Sequence, residues 1–160
     1  MRRNPVTKFD IATGSGFSLL ELVLVAGIIA IVAAMAIPRY GRAAGRHRAD
    51  LAARRVAADL RQAQLYARTT SASCTAVFTV ATSTYQVLNA PSLDGIGTYT
   101  VDLRVPPYQA RIVSANFGGV AQVVFSGWGL PGKAGTVVVA VGSEQRTIAV
   151  NDQTGQVSIQ

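Results

Sequence analysis

Residues 17–37 have the sequence FSLLELVLVAGIIAIVAAMAI, an almost wholly apolar run of 21 residues. An α-helix rises about 1.5 Å per residue, so the run is about 31 Å long, close to the thickness of the hydrocarbon core of a bilayer. A helix buried in a soluble core rarely stays apolar all round for about six turns, which makes that alternative weaker. The run therefore predicts a single membrane-spanning helix.

Glu21 interrupts the apolar run near its start, and no basic residue lies between Lys8 and Arg39. A charged side chain inside a membrane costs roughly 2.5–3.5 kcal/mol, so this carboxylate needs either water or a positive partner. It either lies at the wet membrane interface or pairs with a positive group supplied from elsewhere. Both interpretations stay open on the residues alone.

A cleaved secretory signal is the competing interpretation of the N-terminus. Ala34-Met35-Ala36 resembles a signal-peptidase site, and Arg2-Arg3 gives a basic start. However, the apolar run is longer than the usual signal core of about 7–15 residues, and it contains a glutamate. Simple secretion is therefore disfavoured, and Arg2-Arg3 makes only a weak twin-arginine motif.

Composition and charge exclude several kinds of protein. The 160-residue chain is 49% hydrophobic, so it is not intrinsically disordered, and its one cysteine and one histidine exclude a disulfide framework and argue against a zinc site. The net charge is +7, but eight arginines and two aspartates place +6 of it within 39–68, whereas 69–160 is neutral. A neutral C-terminal half argues against non-specific phosphate binding, so nucleic acid is not an expected partner.

Residues 39–68 are predicted to continue the helix beyond Pro38, which is expected to kink it, so that one helix covers 17–68. Arg54, Arg61 and Arg68 are spaced by seven and form a ridge, for which we favour a solvated face over a binding one. Apolar residues, mostly small, recur at alternating spacings of four and three along another face, as in a helix that packs on a partner. They are Ala49, Ala53, Val56, Leu60, Ala63 and Ala67.

Residues 69–160 are predicted to form a β-rich head, because short β-branched runs alternate with turns of Gly, Pro, Asn and Asp. Gly142-Ser143 suits a tight hairpin turn, and residues 151–155 suit a longer one. The predicted fold is therefore α+β, with a long N-terminal helix packed on an antiparallel β-sheet or sandwich head. About seven or eight strands are predicted, from the runs at 74–80, 84–88, 98–103, 109–113, 121–126, 136–142, 145–150 and 156–159.

No set of side chains typical of an enzyme is evident. His47 is the single histidine, lies in the arginine-rich helix and is expected to be solvated. The chain has no evident Ser-His-Asp set, phosphate-binding loop or carboxylate pair, so we expect no catalytic residue, metal or cofactor. Cys74 opens a predicted strand and is expected to be a buried thiol. Trp128, between two glycines, is either an exposed contact residue or an ordinary core tryptophan.

The segment GSGFSLLEL at residues 14–22 resembles the cleavage and assembly motif of the type IV pilin superfamily. In that family a short basic leader ends in glycine, a prepilin peptidase cuts after it, and the new N-terminal phenylalanine is methylated. Gly16, Phe17 and Glu21 match position by position, as does Pro38, where the family's helix often bends. The resemblance implies cleavage after Gly16 and N-methylation of Phe17. It also implies roles in assembly for Glu21 and Pro38.

The resemblance also implies where the protein acts. The leader, residues 1–16, belongs in the cytoplasm, and the span over 17–37 anchors the chain in the cytoplasmic (inner) membrane with its head outside. Basic residues lie on both sides of the span, so the positive-inside rule alone does not decide this orientation. Cleavage gives Phe17 a free amine that Glu21 can bind, either in an adjacent subunit or one helical turn away in the same chain. The implied partners are other pilin or pseudopilin subunits, the prepilin peptidase and the inner membrane.

The C-terminal half resembles one subgroup, the H-type (GspH/FimT-like) minor pseudopilins, although Gln156 stands where an arginine is common. The resemblance implies a structural subunit, not an enzyme, of a type II secretion pseudopilus or a type IV pilus-like filament. A DNA-binding minor pilin acting in DNA uptake is the alternative, which the neutral head disfavours. The match is carried by Phe125, Gly129, Gly135, Thr136, Ile148, Val150, Gly155 and Val157.

Overall fold

The structure is a computed structural model that describes residues 18–91 and 98–160, without the side chains of residues 35–40. The chain divides into two compact units, with the boundary between Arg39 and Tyr40. The first unit contains the N-terminal part of one long helix. The second contains the rest of that helix and all the strands that the structure describes.

Helix α1 spans Leu19–Thr70, so it begins and ends two residues later than predicted. Ser18 caps its start, because the Ser18 hydroxyl accepts a hydrogen bond from a backbone N–H of the first turn at 3.3 Å. At its end Ser71 adopts a left-handed φ of 52°, and the N–H of Ala72 donates to the carbonyl of Ala67 at 3.2 Å. This arrangement gives a hydrogen-bond donor to a carbonyl that has none within the helix, and it leads the chain into the first strand.

The first unit exposes apolar side chains. Every side chain described in residues 18–34 is exposed, including ten large aliphatic ones, and Leu19 is 80% exposed. Among the residues that the structure describes, no helix has a stretch long and apolar enough to cross a membrane. The predicted span over 17–37 includes residue 17 and the side chains of 35–37, which are not among those described, and it stays a prediction.

The strands of the second unit form two four-stranded antiparallel sheets. The first sheet has the order β3-β2-β1-β5 and the second has the order β4-β6-β7-β8. Each predicted β-branched run overlaps one of these strands, and the predicted α+β fold is confirmed. The strands are β1 (Cys74–Thr79), β2 (Thr84–Leu88), β3 (Tyr99–Asp102), β4 (Arg111–Asn116), β5 (Gln122–Phe125), β6 (Gly135–Val141), β7 (Glu144–Val150) and β8 (Val157–Ile159).

Turn chemistry sets the ends of the last three strands. Gly142 takes a φ of 59° in the two-residue turn between β6 and β7, a conformation that glycine adopts without strain. Asn151 begins the turn between β7 and β8, where its side-chain oxygen accepts hydrogen bonds from the backbone N–H groups of Gln153 and Thr154. Both predicted hairpin turns are confirmed.

Helix α1 packs on both sheets through its predicted apolar face, which we call the inner stripe. Five of its six side chains share one hydrophobic core with Tyr85 and Phe125 of the first sheet and with Val139 and Ile148 of the second. The small residues let the helix approach the sheets closely, and each large buried side chain contributes roughly 1.5–3 kcal/mol. The stripe consists of Ala49, Ala53, Val56, Leu60, Ala63 and Ala67, each at most 2% exposed. The opposite face of this part of the helix is mostly exposed to solvent.

Candidate assembly surfaces

Glu21 lies in the first turn of helix α1, and its side chain is exposed. It stands three positions after the capping residue Ser18, which is the Ser-x-x-Glu spacing of a capping box. The positive end of the helix dipole also favours a carboxylate in the first turn. A carboxylate at this position favours the start of the helix, besides the assembly role that the resemblance implies. The Ser-x-x-Glu spacing is the sequence signal for this effect on the helix.

Three other predicted site residues fall wholly or partly outside the part of the chain that the structure describes. Gly16 and Phe17 lie outside the described residues, and so does the side chain of Pro38. Helix α1 continues through position 38. Cleavage after Gly16, methylation of Phe17 and the kink and assembly role of Pro38 stay predictions.

The arginine ridge, formed by Arg54, Arg61 and Arg68, runs along the exposed side of helix α1. Arg61 Nη2 donates to the carbonyl oxygen of Val157 at 2.7 Å, and Arg68 Nε donates to that of Trp128 at 3.1 Å. All three arginines are exposed, as the predicted solvated face requires, and these two also fasten β8 and the loop after β5 to the helix. Spacing along the helix gives no signal for these bonds, since the acceptors lie 96 and 60 residues away in the chain.

Trp128 projects from the loop between β5 and β6, with 84% of its surface exposed. This excludes the core interpretation and leaves that of an exposed contact residue. The backbone on either side is held against the helix end. A Cβ on Gly127 would lie 2.7 Å from the Ser71 carbonyl group, so only glycine fits there. Gly129 has a φ of 72°, and its carbonyl accepts a hydrogen bond from Gln64 Nε2 at 2.8 Å.

Asp59 is a buried carboxylate, 6% exposed, that joins helix α1 to the first sheet. Its Oδ2 accepts hydrogen bonds from Tyr85 Oη at 2.5 Å, Tyr99 Oη at 2.8 Å and Arg55 Nε at 3.1 Å. Burial, followed by the hydrogen bond to Asp59, raises the pKa of Tyr99 to about 12. Burial and the charge of Asp59 raise the pKa of Tyr85 above its usual range. Sequence reasoning missed this network, for which the only signal is a charged residue immediately before Leu60 of the inner stripe.

Cys74 and His47 occupy the positions expected of them. Cys74 is fully buried, and its thiol donates to the carbonyl oxygen of Leu88 at 3.3 Å. Burial raises the pKa of this thiol, as in an unreactive structural cysteine. His47 is exposed on helix α1. Within residues 18–91 and 98–160, no three His, Cys, Asp or Glu side chains are grouped so as to hold a metal ion.

Residues 52–154 match the family described as Type II transport protein GspH. The chain belongs to the GspH family. The match begins within the inner stripe of helix α1 and ends in the turn between β7 and β8, so it covers the packed end of the helix and most of both sheets of this GspH-family protein. No curated protein sequence matches the chain significantly.

Solved structures place the same fold among minor pilins. A crystal structure of the type IV minor pilin FimU from Pseudomonas aeruginosa strain PAO1 matches with a TM-score of 0.55 and 13% identity, over 72% of this chain and 90% of that chain. A second crystal form gives a TM-score of 0.52 and 12% identity, over 69% and 91%. At such low identity the likeness shows the fold alone. The family and the fold are those of structural pilin subunits, and the resemblance to the type IV pilin superfamily is confirmed.

Proposed function

We propose that this GspH-family protein is a minor pseudopilin or minor pilin that builds a filament of the type II secretion or type IV pilus kind. The observation that carries the proposal is one helix with two unlike parts. Its C-terminal part packs on the sheets through the inner stripe, whereas residues 18–34 expose ten large aliphatic side chains. Soluble monomers rarely expose so large an apolar surface, so this part needs a membrane or neighbouring helices around it.

The N-terminal motif supports processing by a prepilin peptidase. The basic leader over 1–16 ends in Gly16, and removal of the leader makes Phe17 the new N-terminus, which is then methylated. Before assembly, the apolar span over 17–37 holds the chain in the cytoplasmic membrane, and the head lies outside the cytoplasm. The protein is then extracted into the filament as a structural subunit without a catalytic role.

Glu21 gives the apolar part a charge that directs assembly. An unpaired carboxylate and an unpaired ammonium are both costly in a bilayer, and pairing the two lowers both costs. The proposed partner is the Phe17 amine of an adjacent subunit, so that each added subunit is recognised by its new N-terminus. Pairing within one chain is the alternative, since the two residues are one helical turn apart. Ala26, Ala30 and Ala34 form a small-residue face that lets neighbouring helices approach.

Mass spectrometry of the N-terminus tests the processing step, on protein taken from cells that make the filament. We expect the chain to start at Phe17 with a methyl group on its amine, and to keep its leader in cells whose prepilin peptidase is inactive. A start at Ile37 would identify an ordinary signal peptide cut after Ala36, and the proposal would then be rejected.

A further inference from the structure

The side of helix α1 opposite the inner stripe carries a second apolar row, which we call the outer row: Leu51, Ala58 and Leu65. Leu65 is 59% exposed, Ala58 is exposed and Leu51 is partly buried. A spacing of seven residues keeps the three side chains on one line, about 10.5 Å apart. A row with this repeat is complementary to another helix that packs nearly parallel to α1.

The arginine ridge runs beside the outer row, because each of its members follows a residue of that row by three positions. Arg61 and Arg68 donate to neutral backbone carbonyls, so their positions are fixed while their charges are not neutralised. The ion pairs of the described residues use other arginines: Arg46 with Glu144, Arg55 with Asp59, Arg104 with Asp102 and Arg146 with Asp50. The face therefore presents ordered positive charge along an apolar row.

An acidic side chain beside the ridge is already engaged by another arginine. Asp50 lines the same cleft as Arg54 and Arg61, but its carboxylate binds Arg146 Nε at 2.6 Å. A partner with carboxylates can therefore bind the ridge without first breaking an ion pair between the ridge and this chain. Arg54, which is exposed, is the member of the ridge most open to such a partner.

Trp128 lies at the end of this face, where Arg68 binds its carbonyl oxygen. Its indole is exposed, whereas its backbone is held in place where the flanking glycines pack against the helix end. Binding a partner therefore costs little conformational entropy in this loop. Tryptophan and arginine are the residues that most often dominate the energy of protein interfaces. The outer row, the arginine ridge and Trp128 thus combine an apolar line, a line of positive charge and an aromatic anchor.

We propose that this face docks an amphipathic helix of a different filament subunit, one whose apolar positions are flanked by Asp or Glu. The inference rests on the proposed filament function and names the partner of the head. The spacing of the outer row favours a helix, and the uncompensated ridge favours an acidic flank. A second copy of this chain is disfavoured because it would bring one arginine ridge against another.

Photo-crosslinking in cells tests the docking face with the full-length chain. Leu65 is replaced by the photo-crosslinker benzoylphenylalanine, cells that make the filament are irradiated, and the adduct is identified by mass spectrometry. We expect an adduct with a different chain that carries a pilin-type leader, joined at a helix with Asp or Glu nearby. Arg54→Glu should lower the adduct yield about tenfold, as the loss of one interfacial ion pair does.

Two matched variants isolate the charge of the ridge. Arg54→Lys keeps the positive charge, and Arg111→Glu makes the same charge reversal at an exposed position of β4. Both should leave the adduct yield unchanged. Reversing the crosslinked partner's carboxylate to arginine should restore the yield lost with Arg54→Glu.

The outcomes separate this inference from the proposed function on which it rests. An adduct mainly with a second copy, an adduct indifferent to Arg54→Glu, or no adduct from a chain that is present in the sheared fibres would each overturn the docking face alone. A chain absent from the fibres would overturn the filament function and the docking face with it.

Discussion

Asp59 ties helix α1 to the first sheet at a single buried carboxylate. The charge is tolerated in the interior because two tyrosine hydroxyls and one guanidinium donate to it. The spacing of the inner stripe predicts which positions of the helix are buried. It does not predict these donors, because Tyr85 and Tyr99 lie 26 and 40 residues farther along the chain, on two different strands.

The two tyrosines that donate to Asp59 are expected to ionise at a higher pH than a tyrosine in an unfolded chain. The pKa of Tyr99 is raised to about 12, against about 10 in an unfolded chain, because burial and the bond to Asp59 favour the neutral phenol. A raised folded-state pKa contributes stability that is complete below about pH 10 and is lost as the pH rises toward about 12. The free energy of unfolding should therefore fall across this window.

Phenolate absorbance measures this behaviour directly. In an alkaline titration of the folded protein, Tyr85 and Tyr99 should add phenolate absorbance only above the pH range in which a free tyrosine ionises. The variant Tyr85→Phe with Tyr99→Phe should lack this high-pH change. If the double substitution instead removed absorbance that develops near pH 10, with the fold still intact, the network would not hold these two phenols neutral.

Glu21→Gln separates the two roles of Glu21. Glutamine retains the size of the side chain and can still serve in the capping box, but it removes the charge. Membrane insertion should be unchanged or easier, and cleavage after Gly16 should persist, whereas recovery in sheared fibres should fall about tenfold. Ser18→Ala is the matched control, since it weakens the cap and keeps the charge, and it should assemble normally. Immunoblots read cleavage, and normal recovery of Glu21→Gln would reject the pairing role.

Strand β4 departs furthest from the sequence-based expectation. It was predicted at 109–113 and is found at Arg111–Asn116. Gln109 has a φ of 47°, which keeps it out of an extended strand, and a bulge shifts the pairing with β6 between Ile112 and Ser114. The polar residues at the end of β4 have little strand propensity of their own, so pairing with β6 decides this end. Local patterns thus predicted the existence of each strand, whereas the sheet order depends on pairing between distant strands.

The inner and outer sides of helix α1 should lose very different amounts of stability from the same substitution. Leu60 is 2% exposed in the core, so Leu60→Asp buries a charge without a partner and should lower the free energy of unfolding by about 3–5 kcal/mol. Leu65→Asp is the matched control on the outer row and should cost about 0.5 kcal/mol, the difference in helix propensity. Denaturant unfolding of both variants checks this. Equal midpoints for the two would contradict the assignment of the inner stripe to the core.

The second unit should behave as an independent head. Its inner stripe is covered by its own sheets, and its core draws on both of them. A fragment beginning at residue 45 should therefore be soluble and monomeric, and size-exclusion chromatography with light scattering measures its mass. Aggregation, or a stable dimer at micromolar concentration, would show that the head needs surfaces from another chain to cover its core.

At the scale of the whole molecule, the account depends on one chain having a packed head and an exposed apolar helix that a filament covers. The most direct test is the amount of mature chain in fibres sheared from cells, compared between cells with active and inactive prepilin peptidase. The account predicts that the chain starting at Phe17 sediments with the fibres only where the peptidase is active. A chain that is cleaved after Gly16 yet stays entirely in the membrane, with none in the fibres, would contradict it.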